Sequence, residues 1–70
     1  MKTKTTAEMT AECRRHLDAL VQTPGGRWEV RDAVNGSRLS TGATARQAFS
    51  RYRQNALATG RLKPKDFWRK

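Results

Sequence analysis

Trp28-Glu29-Val30-Arg31-Asp32-Ala33-Val34-Asn35-Gly36-Ser37-Arg38-Leu39-Ser40-Thr41 is the stretch on which the fold turns. Asn35-Gly36 supplies two residues that tolerate positive φ, as a two-residue type I′ turn demands, and the residues on either side alternate in the manner of half-buried strands. Pairing Val34 with Ser37 sets Asp32 opposite Leu39 and Val30 opposite Thr41. Trp28, Val30, Leu39 and Thr41 then share an inner face, while Glu29, Arg31 and Arg38 alternate to a wet one.

Upstream, Thr5-Thr6-Ala7-Glu8 has the form of a capping box, with a threonine followed three residues later by a glutamate that reaches back to the cap's N–H. Met9, Cys13, Leu17 and Leu20 recur at helical spacing, which predicts a helix over Ala7 to Gln22 that Pro24-Gly25-Gly26 stops. Arg14 and Asp18, four apart, are placed to pair on its outer side. Downstream, Thr44-Ala45-Arg46-Gln47 opens a second helix expected to run to about Thr59, with Gly60 as its C′ residue. Its inward stripe is Ala45, Ala48, Phe49, Tyr52 and Ala56. Arg46, Arg53 and Leu57 lie on one flank and Arg51 on the other. Gly42 reads as the flexible residue of the strand-to-helix turn. The expected fold class is therefore α+β, a small single domain of helix–β-hairpin–helix order (α-β-β-α) over residues 1–60, with 1–5 a flexible N-terminus and 61–70 a basic, aromatic C-terminal tail.

Seventy residues bury a smaller share of their surface than a larger chain does, so stability is expected to be marginal and a homodimer is one way to extend the core. Cys13 is the only cysteine, which rules out an intrachain disulfide framework and fits a reducing, cytoplasmic setting. No run approaches the ~20 apolar residues of a membrane span, and the first residues lack the apolar core of a signal peptide.

Catalysis finds little support. Cys13 and His16 lie one helical turn apart, but a closed zinc site needs four ligands and the chain has no further cysteine or histidine. The apolar stripe instead places Cys13 in the core, where a thiol is inert. The acidic residues are scattered and no glycine loop cradles phosphate, so no enzyme activity, metal or cofactor is expected.

Charge is the more telling feature. Of the formal +9, residues 1–22 and 23–42 each carry +1, whereas residues 43–70 hold eight cations against Asp66 alone, a net +7. So uneven a distribution attracts polyanions from a distance. Arg46, Arg53, Arg61, Lys63, Lys65, Arg69 and Lys70 are the candidate phosphate contacts, and Phe67 and Trp68 interleave with them as stacking surfaces. Phe67 and Trp68 have a second reading, in which they fold back to close the core.

The opening of the second helix, Gly42-Ala43-Thr44-Ala45-Arg46-Gln47-Ala48, resembles the last helix of double-stranded-RNA-binding domains, which is alanine-rich and follows a strand with basic residues. The likeness covers about a quarter of the chain. That family has three strands between its helices, and the residues between Pro24 and Thr44 accommodate two.

The function these observations favour is a non-enzymatic regulatory protein that binds nucleic acid, DNA or RNA, through the second helix and the tail. The alternative is an adaptor or inhibitor that docks on an acidic patch of a larger nucleic-acid-handling machine, a role that small basic proteins of mobile elements can fill. In that reading Phe67 and Trp68 are the anchor.

Overall fold

The computed structural model describes residues 4–63. Helix α1 (Thr6–Arg15) is followed by strands β1 (Asp18–Gln22), β2 (Trp28–Asp32) and β3 (Arg38–Gly42), and then by helix α2 (Ala45–Thr59). The strands form one antiparallel sheet in the order β1-β2-β3. The α+β class and the helix, hairpin, helix sequence stand as expected, with one strand added ahead of the hairpin. Three strands thus separate the helices, the number found in the family that the start of α2 resembles.

α1 starts where its capping box places it. Thr5 N–H donates to Glu8 Oε1 at 2.8 Å, and Glu8 N–H donates to Thr5 Oγ1 at 3.1 Å. It ends at Arg15, not at Gln22, because the chain reverses at His16-Leu17. Leu17 sits in the left-handed region with φ 62°, and its N–H donates to Arg14 C=O at 3.0 Å. From there the chain runs out as β1, whose Leu20 faces Val30 across the ladder. Leu17, expected in the core, is 65% exposed. A leucine in this conformation costs about 1–2 kcal/mol. Leu17→Gly should therefore raise stability by about 0.5–1 kcal/mol in urea denaturation, since glycine accepts positive φ and little burial is lost.

The hairpin between β2 and β3 keeps its strands and changes its register. Asp32 Oδ1 accepts N–H groups from Val34 at 2.7 Å and Asn35 at 3.3 Å, and Asp32 N–H donates to Ser37 C=O at 2.8 Å. The loop is therefore longer than a two-residue turn, with Gly36 supplying its positive φ of 79°. A bulge between Val30 and Arg31 then sets Val30 opposite Ser40 and Trp28 opposite Gly42. Ser40 and Gly42, not Thr41, line the inner face. Leu39 still packs on the core from the bulge.

Both helices contribute to one core of Met9, Cys13, Leu20, Val30, Ala45, Ala48, Phe49 and Tyr52, with Trp28, Leu39 and Leu62 packed around it. The small alanines of α2 let the helix lie close to β3, where Ser40 Oγ donates to Ala48 C=O at 2.7 Å. α2 is capped by Thr44, whose Oγ1 accepts Gln47 N–H at 3.1 Å, and by Gly60 in the left-handed region. Gln47 Oε1 takes the Ala43 N–H at 3.0 Å, one residue further out than in a standard capping box.

Candidate nucleic-acid interface

The ionic organisation begins inside. Glu12, Asp18 and Glu29 are buried, and a buried carboxylate survives only when paired and hydrogen-bonded. Glu12 on α1 receives the Arg53 fork from α2, with Nε and Nη2 donating at 3.2–3.3 Å, and it has Lys4 Nζ at 3.4 Å and Arg15 Nη2 at 3.9 Å. The Arg53 guanidinium also lies 4.9 Å over the Phe49 ring, a cation–π contact that holds it against the core. Glu29 is paired with Arg31, whose Nη1 donates to Gly36 C=O at 2.8 Å.

Asp18 and Asp32 face each other across the β1–β2 ladder, an arrangement that is repulsive unless a cation joins them. Arg61 does so. Its Nη2 donates to Asp18 Oδ1 at 2.5 Å and to Asp32 Oδ2 at 3.3 Å, while Tyr52 O–H donates to Asp18 Oδ2 at 2.6 Å. The expected helical pairing of Arg14 with Asp18 gives way to this long-range set, because Asp18 lies on a strand. The N–H groups of Val34 and, less strongly, Asn35, together with Arg61, hold the Asp32 carboxyl below its ordinary value of 3.8, against opposition from desolvation. Burial foremost, then Asp18 and Glu12, pushes the Cys13 thiol up to about 12, so Cys13 is a protonated core side chain and not a nucleophile. Burial also raises Tyr52, helped by its bond to Asp18.

These shifts set the pH range of the fold. Asp32, with its pKa depressed on folding, contributes stability that is present above the unfolded value near 3.8 and lost as pH falls through the lower folded value. Cys13 and Tyr52, with pKa values raised, contribute stability that is complete below their unfolded values of 9.0 and 10.0 and is lost as pH rises beyond them. The urea midpoint should therefore hold a plateau between these limits and fall on both sides. Tyr52→Phe should weaken the alkaline fall.

Turning the carboxylates inward leaves the outside cationic. Among the described residues, Lys4, Arg14, Arg15, Arg27, Arg31, Arg38, Arg46, Arg51, Arg61 and Lys63 are exposed, and Glu8 is the one exposed carboxylate, already committed to its cap. Of the nominated contacts, Arg46 lies exposed in the first turn of α2, and Lys63 lies exposed just beyond its C-cap. Arg53 and Arg61 turn instead to Glu12 and Asp18, so their first task is structural. Lys65, Phe67, Trp68, Arg69 and Lys70 lie outside the described residues.

Two exposed arginines that sequence reasoning left as solvated positions, Arg38 and Arg51, flank a shallow groove of about 330 Å³ between β3 and α2, floored by Leu39, Ser40 and Thr41. Arg51 Nη1 donates to Thr41 C=O at 3.0 Å, which holds the side chain along the groove. The signal for Arg51 was its place on the flank of α2 that faces β3, and it emerges only once the strand is docked. Among the described residues no cluster of His, Cys, Asp and Glu could hold a metal, and no helix is long and apolar enough to cross a membrane. The chain matches no protein-family model, no curated protein and no solved structure.

Proposed function

We propose that this domain is a non-enzymatic regulatory module that binds nucleic acid through the cationic surface of α2 and the C-terminal segment. The observation that carries the reading is the imbalance of the described exterior, where ten exposed cations, of which Lys4, Arg15, Arg31 and Arg61 are also paired with inward carboxylates, stand against Glu8 as the one exposed carboxylate. Counterion release from a phosphate backbone supplies most of the affinity of such a surface. Arg46 and Lys63 lead the contacts, Arg38 and Arg51 join them from the groove, and Lys65, Arg69 and Lys70 extend them. Arg53 and Arg61 are better assigned to holding the fold. The order of helix, three strands and helix agrees with the likeness of residues 42–48 to double-stranded-RNA-binding domains and makes duplex RNA the first ligand to try.

These phosphate contacts, about seven at ~0.9 each, give an expected slope of about −6 for log affinity against log salt. Arg46→Glu should weaken binding to all sequences alike and make the slope shallower by about 1. Fluorescence titrations with duplex RNA, duplex DNA and a single strand, each over a range of salt, test this. Flat isotherms for all three at low salt would remove the proposal and favour docking on an acidic protein.

A further inference from the structure

The two edges of the sheet are built differently. β3 is protected: Asn55 Nδ2 donates to Leu39 C=O at 3.1 Å, Arg51 Nη1 donates to Thr41 C=O, a bulge displaces the ladder, and Arg38 is exposed on the strand. Covered carbonyls, bulges and charged side chains are the usual means of stopping an edge from pairing with another chain. β1 lacks them. It contains no Lys, Arg or Pro, and its one charge, Asp18, is buried against Arg61 and Tyr52.

The phase of the ladder decides which backbone groups β1 offers. Thr23 N–H donates to Arg27 C=O at 2.7 Å and Ala33 N–H donates to Leu17 C=O at 3.0 Å, so residues 17, 19, 21 and 23 bond towards β2. The N–H and C=O groups of Asp18, Leu20 and Gln22 therefore face away from the sheet. Among the described residues none bonds to them. Leu17 and Val21, at 65% and 38% exposure, are two of the four exposed large hydrophobics among the described residues and lie at this strand.

We propose that β1 pairs antiparallel with β1 of a second copy of this chain, giving a two-fold symmetric dimer with one continuous six-stranded sheet. The sequence of the strand selects the register. Centred on Leu20, the pairing sets Leu20 against Leu20 of the second copy, Ala19 against Val21, and Asp18 against Gln22, with no like charges opposed. A slip of four residues one way, which moves the two-fold axis from Leu20 to Asp18, brings the two Asp18 carboxylates face to face. The opposite shift brings Pro24, which has no N–H, into the ladder. The interface is isologous, as a two-fold dimer requires. Each copy carries +9, so the strands join against long-range repulsion and salt strengthens the dimer. This is the opposite sign to nucleic-acid binding, so the dimer stands or falls separately from the proposed function.

The test is sedimentation equilibrium on the full chain at about 0.1 M and about 1 M salt, between which the screening length falls from about 10 Å to about 3 Å. The expected result is a monomer–dimer equilibrium that tightens several-fold at the higher salt. Amide exchange of Leu20 and Gln22 should slow with protein concentration. Gln22→Pro removes an outward N–H and no bond to β2, and Val21→Lys adds a charge beside the edge. Either should leave circular dichroism unchanged and give a monomer, whereas Val34→Lys in the exposed hairpin loop should not. A monomer at both salts would overturn the proposal. So would a dimer that survives both edge variants, or one in which the Leu20 and Gln22 amides exchange as fast as in the monomer.

Discussion

Arg61→Ala is expected to remove a large fraction of the protein's stability. The substitution leaves Asp18 fully buried, with Tyr52 O–H as its remaining side-chain donor, and opposite Asp32 across the ladder. Removing the donor of a buried carboxylate costs about 1–3 kcal/mol, and because the Arg61 side chain is 34% exposed, water takes up part of its place beside Asp18. A domain of this size has roughly 3–5 kcal/mol of stability in total. Adding Asp18→Asn to Arg61→Ala should recover part of the loss, since the neutral amide removes both the stranded charge and its repulsion with Asp32. Arg53→Ala should cost less than Arg61→Ala, as Glu12 keeps Lys4 and Arg15 within 4 Å. Thermal denaturation of these variants checks the ranking, and a mild Arg61→Ala would show that Asp18 does not depend on its clamp.

Gly42→Ala should destabilise the fold by about 1–3 kcal/mol, the usual cost of forcing extra atoms into a packed interior. A Cβ at residue 42 would lie 2.6 Å from the Ala48 backbone nitrogen and 2.7 Å from Gln47 Cβ, and the backbone nitrogen cannot swing aside. Gly42 lacks the positive φ of Gly26, Gly36 and Gly60, so flexibility is not why glycine is needed. Glycine is there because the end of β3 meets the first turns of α2 without space for a side chain. By contrast, Gly25→Ala should be nearly neutral, as its Cβ would meet Thr23 Oγ1 at an ordinary 3.9 Å. Urea midpoints for both variants separate the two cases.

What the sequence showed depended on the range of the forces involved. Both helix starts were legible because a cap is written within four residues, and Thr5 and Thr44 act where they were expected. The stripe of α2 was legible for the same reason. β1 was not. Cys13, Leu17 and Leu20 fit a helical period, whereas strand formation was settled by the pairing of Leu20 with Val30 and by bonds from Asp18 to residues 34 and 43 positions away. Val21, a β-branched residue, was the local hint. The hairpin register was lost to Asp32, whose side chain bonds the turn backbone and lengthens the loop, a habit of aspartate that outweighed the Asn35-Gly36 signal. In the candidate site, the excess of arginine was plain from the sequence, but not its division. Arg46 and Arg53, seven residues apart on one flank, differ because Glu12 of α1 docks beside Arg53.

That division is open to one direct measurement, made on Arg46→Glu and Arg61→Gln together: melting temperature, and the salt slope of binding to duplex RNA. The expected result is a crossed pattern, in which Arg46→Glu makes the slope shallower by about 1, while Arg61→Gln lowers the melting temperature by several degrees, more than Arg46→Glu does, and, measured where it remains folded, keeps the slope. An unchanged slope in Arg46→Glu, with a lowered slope and an unchanged melting temperature in Arg61→Gln, would contradict the separation of a clamped ionic interior from a cationic binding exterior.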